Sequence, residues 1–132
     1  MFISIDPGNK KFGYAIFDNN QNIISKGIKP VSEFENFSKH IKNKFGNAYI
    51  IIGNGTEHKY FFQTLKFYFD KIDLTDEKYT SEEARKLYFK ENPPKGWKKF
   101  IPLTLLTPQV DIDDYAAIAI AQRFFCKIQK NL

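Results

Sequence analysis

The sequence predicts an α/β fold built on one five-stranded mixed sheet, with three antiparallel leading strands, two crossover strands and helices against the sheet. Three observations carry this. Residues 2 to 28 hold three short β-favouring runs separated by turn chemistry. Beyond them, helical apolar periods alternate with short apolar runs, the pattern of crossover connections. The run Ala48-Tyr49-Ile50-Ile51-Ile52 is unbroken, as expected of a strand covered on both faces. At 132 residues the chain reads as one domain, large enough for a real core and too small for two substantial lobes.

The first strand, residues 2 to 6, ends in Asp6, and Pro7-Gly8 leads into a second at 12 to 18. As a short motif, Asp6-Pro7-Gly8 reads equally well as a plain turn and as an acid held at a strand end, where open α/β sheets place their chemistry. Asp18-Asn19-Asn20-Gln21 turns the chain into a third strand, about 22 to 28, completing an antiparallel meander. Ser32 with Glu35 three residues later has the capping-box pattern, and Phe34, Phe37, Ile41 and Phe45 form a helical stripe that Gly46 ends.

After the buried strand, Gly53-Asn54-Gly55-Thr56 lets the backbone approach a ligand but lacks the lysine and spacing of a nucleoside-triphosphate loop, so a tight strand-to-helix turn is the simpler reading. A helix over about 57 to 70 carries Phe61, Phe62, Leu65 and Phe69, and a short strand over 71 to 75 precedes Asp76-Glu77-Lys78-Tyr79. Thr80 with Glu83 repeats the capping-box pattern and opens a helix whose Ala84, Leu87 and Tyr88 face inward. Prolines 93, 94, 102 and 108 keep the stretch to Gln109 irregular or extended, a loop long enough for so small a domain to read as functional. Asp111, Asp113 and Asp114 introduce the last helix, where acids complement the helix dipole; Ala116, Ala117 and Ala121 allow it to pack close to the sheet.

The formal charge of +5 favours a polyanionic partner, with nucleic acid foremost. One cysteine, Cys126, leaves no disulfide framework and no cysteine-based zinc site, and His40 and His58 are too scattered to make one. No apolar run approaches the ~18–20 residues of a membrane span, and Met1 leads into a strand, so a soluble, cytoplasmic protein is expected. The 14 Phe and 7 Tyr read mainly as core filling, with base stacking open only to exposed rings.

The order β-β-β-α-β-α-β-α-α is the ribonuclease H-like arrangement. In such a sheet the first strand is central and Asp6 lies at its C-terminal end, with Glu57 or Asp76-Glu77 following neighbouring strands and Asp113 or Asp114 opening the last helix. Converging carboxylates raise one another's pKa unless a cation neutralises them. Hard divalent ions take oxygen ligands, and Mg²⁺ keeps waters and engages phosphate. Paired ions about 3.5–4 Å apart activate water and stabilise the leaving oxygen of a phosphodiester.

Ile5-Asp6-Pro7-Gly8 with Gly13-Tyr14 resembles the first-strand motif of RuvC-type Holliday-junction resolvases and YqgF-type nucleases. Thr75-Asp76-Glu77-Lys78-Tyr79-Thr80-Ser81, followed by Glu83-Ala84, resembles the middle motif of YqgF proteins, and Asp113-Asp114-Tyr115-Ala116-Ala117 resembles the last-helix motif of both. The resemblance spans essentially the whole chain. It implies a metal-dependent endonuclease acting on branched DNA or precursor 16S ribosomal RNA, with Mg²⁺ or Mn²⁺ as cofactor. The catalytic set carried over is Asp6, Glu77 and Asp113, with Asp76 and Asp114 as further metal ligands, and dimeric resolvases make a homodimer an open arrangement. RuvC proteins place the second acid nearer the fourth strand, which keeps Glu57 open, and Lys78 stands where YqgF proteins have Arg, losing bidentate phosphate recognition.

Lys10, Lys11, Lys78, Lys95, Lys98 and Lys99 fall in loops or element edges where they would contact phosphates. Trp97 either stacks on a base or anchors its own loop to the core. Two other classes compete with the nuclease. One is a non-catalytic nucleic-acid-binding module on the same fold. The other is an actin- or sugar-kinase-like phosphotransferase, for whose paired lobes the chain is too short.

Overall fold

The computed structural model describes residues 1–130. Its strands are β1 (Phe2–Asp6), β2 (Lys11–Phe17), β3 (Ile23–Pro30), β4 (Tyr49–Gly53) and β5 (Ile72–Thr75), and its α-helices are α1 (Phe34–Lys44), α2 (His58–Tyr68), α3 (Thr80–Glu91) and α4 (Asp113–Lys130). The sheet order is β3-β2-β1-β4-β5, antiparallel between β1, β2 and β3 and parallel from β1 to β4 to β5. This is the ribonuclease H-like arrangement expected from the order of elements, with β1 central.

Two apolar clusters lie on the two sides of the sheet. Alternate residues of β1, Ile3 and Ile5, are fully buried with Phe12, Phe34, Ile41, Ile50, Ile52, Phe61 and Leu65 under α1 and α2. Ala15, Phe17 and Ile51 meet Ala84 of α3 and Ala117, Ile118, Ile120, Ala121 and Phe124 of α4. The period-two side-chain alternation of strands therefore serves both clusters at once. Ser4, on the α4 side of β1, is buried and donates its hydroxyl to the Ala117 carbonyl at 2.7 Å. The small residues bring the α4 backbone against β1.

Neither capping box forms. The chain leaves β3 at Pro30 directly into a 3₁₀ turn, Val31–Glu33, so Ser32 lies inside that turn and α1 begins at Phe34 without a side-chain cap. Burial of Phe34 and Phe37 sets that start. At α3, left-handed Tyr79 (φ 69°) precedes Thr80, whose hydroxyl donates to the Glu77 carbonyl at 2.6 Å and does not accept from the Glu83 amide. Glu83 instead pairs with Arg123 of α4 at 2.9 Å. The proline-rich stretch contains two 3₁₀ turns, Gly96–Phe100 and Leu103–Leu105. Among the described residues, no helix is long and apolar enough to cross a membrane.

Candidate active site

Asp6 sits at the C-terminal end of the central strand, opposite Gly13 of β2 in the antiparallel register. Two glycines flank it and decide what comes near. A Cβ at Gly13 would overlap the backbone carbonyl of Asp113, so the start of α4 lies directly on β2. On the other side, a Cβ at Gly53, the last residue of β4, would overlap the Glu77 carboxylate, and so would one at Gly55. Glu77 follows β5, two strands from β1, and reaches toward Asp6 over the end of β4 because neither glycine fills the space.

Asp6, Glu77 and Asp113 line one cleft of about 270 Å³, together with Thr80, Ser81, Arg85, Pro108 and Ile112. Burial, reinforced by the charges of Glu77 and Asp113, pushes the Asp6 carboxyl up to about 8. Burial also raises Glu77, with Asp76 adding to the shift and His58 opposing it. Asp113 is raised by burial against the opposing charge of Lys11. Glu77 Oε2 and Asp113 Oδ2 are buried with no hydrogen-bond partner. Lys11 Nζ lies 2.6 Å from Asp111 and 3.6 Å from Asp113, a charge contact with the latter and not a hydrogen bond.

The other acids are placed differently. Asp114 is buried on the first turn of α4, accepting from Lys26 Nζ at 2.9 Å and from the Tyr115 amide. Lys26 also lies 4.4 Å from the Tyr115 ring, and Tyr115 donates its hydroxyl to Glu91. Asp76 is exposed and accepts from the Lys78 amide at 3.0 Å, closing a turn. Glu57 is exposed at the N-terminus of α2 and does not line the cleft. Of the acids left open by the sequence, the cleft therefore holds Glu77 and Asp113.

Of the basic candidates, Lys11 does not line the cleft but touches one of its acids, Asp113, Lys10 and Lys78 are exposed outside it, and Lys95, Lys98 and Lys99 lie on the proline-rich stretch with Trp97. Trp97 is 70% exposed, so it does not anchor its loop. Sequence reasoning missed Ser81 and Arg85 in the cleft wall. Their i, i+4 spacing, in phase with buried Ala84, was the signal that both face the sheet end. Arg123 was also missed: its guanidinium donates to the carbonyls of Asp76 and Lys78 and so holds the turn carrying Glu77.

Hard carboxylate oxygens, two of them buried without a hydrogen-bond partner, around an acid whose pKa is raised by burial and acidic neighbours are the donor chemistry of a hydrated divalent cation. Among the described residues no group of three or more His, Cys, Asp or Glu side chains is placed to hold a metal ion as it stands. The donor atoms in the cleft are all hard oxygens, the type that hydrated Mg²⁺ takes, and they do not make a site enclosed by protein. No protein-family model matches the chain, and no curated protein matches it.

Proposed function

We propose that this protein is a divalent-metal-dependent endonuclease that hydrolyses phosphodiester bonds of structured nucleic acid, in the manner of the YqgF and RuvC nucleases its three motifs resemble. The observation that carries the reading is the pair of buried oxygens of Glu77 and Asp113, neither with a hydrogen-bond partner, lining one cleft with Asp6. Asp6, Glu77 and Asp113 would hold Mg²⁺ or Mn²⁺. When bound, the ion supplies Lewis-acid activation of water and charge stabilisation at the phosphorus.

The chain's own groups do the rest. Asp6 gives up its proton to bind, which ties affinity to pH. Arg85 and Ser81 face the cleft with donors suited to phosphate oxygens, and Arg85 brings the planar donor geometry that Lys78 lacks. Thr80 and Arg123 fix the backbone around Glu77. The substrates proposed are branched DNA and precursor ribosomal RNA, and the setting is the cytoplasm, with a homodimer serving paired cuts.

The test is cleavage of a four-way DNA junction and of precursor 16S ribosomal RNA, with and without Mn²⁺. Asp6→Asn is expected to reduce cutting at least about a thousandfold while folding and binding persist. Undiminished cutting by that variant sinks the proposal. The competing reading, a non-catalytic binding module, draws on Lys11 already facing Asp113 and on the finding that, among the described residues, no three His, Cys, Asp or Glu side chains are grouped to hold a metal ion. Binding of branched substrate by the native chain with no metal-dependent cutting selects it.

A further inference from the structure

The stretch from Asn92 to Val110 contains Lys95, Lys98 and Lys99 and no acid. It also leaves large apolar side chains in solvent: Trp97 is 70%, Phe100 80% and Leu105 73% exposed. Lys99 Nζ lies 5.2 Å from the Phe100 ring. Between this stretch and the end of α3 is a hollow of about 350 Å³, lined by Tyr88, Phe89, Pro94, Lys95, Lys98 and Leu105 among others. That volume is within the range of small-molecule sites, roughly 300–1,000 Å³. Aromatic and aliphatic walls with ammonium groups at hand match a flat apolar ring carried on a phosphate chain.

We propose that this hollow receives an unpaired base of the nucleic-acid substrate, with Lys95 and Lys98 on the adjoining phosphates and Trp97 and Phe100 as outer stacking surfaces. The proposal rests on the nuclease reading of the cleft and adds a substrate class to it: a strand with unpaired nucleotides beside the bond to be cut. Continuity with the cleft favours it. Ser81 and Arg85 of α3 line the cleft, while Tyr88 and Phe89, about one 5.4 Å turn further along the same helix, line the hollow. The stretch itself runs on into Pro108, Ile112 and Asp113 in the cleft wall. A base inside a duplex cannot present its faces to such walls, whereas an unpaired or extruded one can.

The test uses the Asp6→Asn chain without divalent ions, titrated into three labelled probes: a blunt DNA duplex, the same duplex with a short single-stranded extension, and that duplex with an abasic extension. The extension is expected to tighten binding roughly tenfold, and the abasic extension to lose most of that gain. Trp97→Ala and Leu105→Ala, both at exposed positions, reduce the gain, and Lys95→Gln with Lys98→Gln lowers the log–log salt slope by roughly 1–2. Equal affinity for blunt and extended duplexes overturns the proposal, as does an undiminished gain from the abasic extension. Competition by phosphatidylserine vesicles with a blue shift of Trp97 emission also overturns it, since the surface would then be a membrane contact. Mn²⁺-dependent cutting by the native chain is scored separately. Base-dependent binding without cutting overturns the nuclease reading alone, and cutting without base-dependent binding overturns this proposal alone.

Discussion

Asp113 and Asp114 are adjacent on the first turn of α4, and their carboxylates meet opposite conditions. Asp114 points toward β3, where Lys26 and a backbone amide satisfy it. Asp113 faces the cleft, where one buried oxygen has no hydrogen-bond partner and its proton affinity is raised. A helix end favours both charges through its dipole, so the dipole does not separate them. Partners do: a buried acid with its bonds made holds structure, while one left short of bonds stores an unmet demand for positive charge.

The largest test of this contrast is to neutralise each acid. Asp113→Asn is expected to cut cleavage by about a hundredfold or more with the melting temperature unchanged or higher. Asp114→Asn strands Lys26 and is expected to cost about 1–3 kcal/mol in urea unfolding, with cleavage by the folded fraction within a few-fold of native. A reversal of the two phenotypes breaks the assignment.

A smaller effect is expected at Gly55. Gly55→Ala would push the end of the Glu77 side chain, which is flexible enough to swing aside. Stability should change by less than about 1 kcal/mol, while the rise in melting temperature on adding Mn²⁺ is reduced. An unchanged Mn²⁺ response would remove Glu77 from the cation site.

The effect that depends most on conditions concerns Asp6 and pH. The unfolded chain loses this proton near 3.8 and the folded chain near 8, so across that window the folded state holds the extra proton and stability falls as pH rises. Above the window both states are ionised and the loss is complete. Asp6→Asn should therefore match the native melting temperature at about pH 4 and exceed it by about 10 °C or more at about pH 8.5, in chelator. A constant difference across pH would mean that the Asp6 proton is not the cause.

Much of this arrangement is legible in the chain because local and global signals agree. The acid at the end of β1, the turn chemistry before β3 and the unbroken isoleucines of β4 each dictate their element. Helix starts were less legible. Ser32 and Thr80 both carry capping-box spacing, but one is absorbed in a 3₁₀ turn after Pro30 and the other bonds backward to the Glu77 carbonyl. Local spacing cannot report that a strand exit or a left-handed residue has already fixed the first turn. What brings Glu77 and not Glu57 into the cleft is the space above Gly53 and Gly55, and what holds Asp114 is Lys26 from β3. Both are long-range facts. Arg123 was hidden for the same reason, since the carbonyls it holds come from a turn far away in sequence.

Gly13 gives the site an unusual kind of ruler. The gap beside Asp6 on β2 is filled by main chain from the first residue of α4, so two acids from opposite ends of the sequence are spaced by peptide bonds, which compress very little. Side chains elsewhere in the core can be exchanged for others of similar volume without moving that reference. A single methyl group at position 13 cannot be added without lifting the helix, and Asp113 with it.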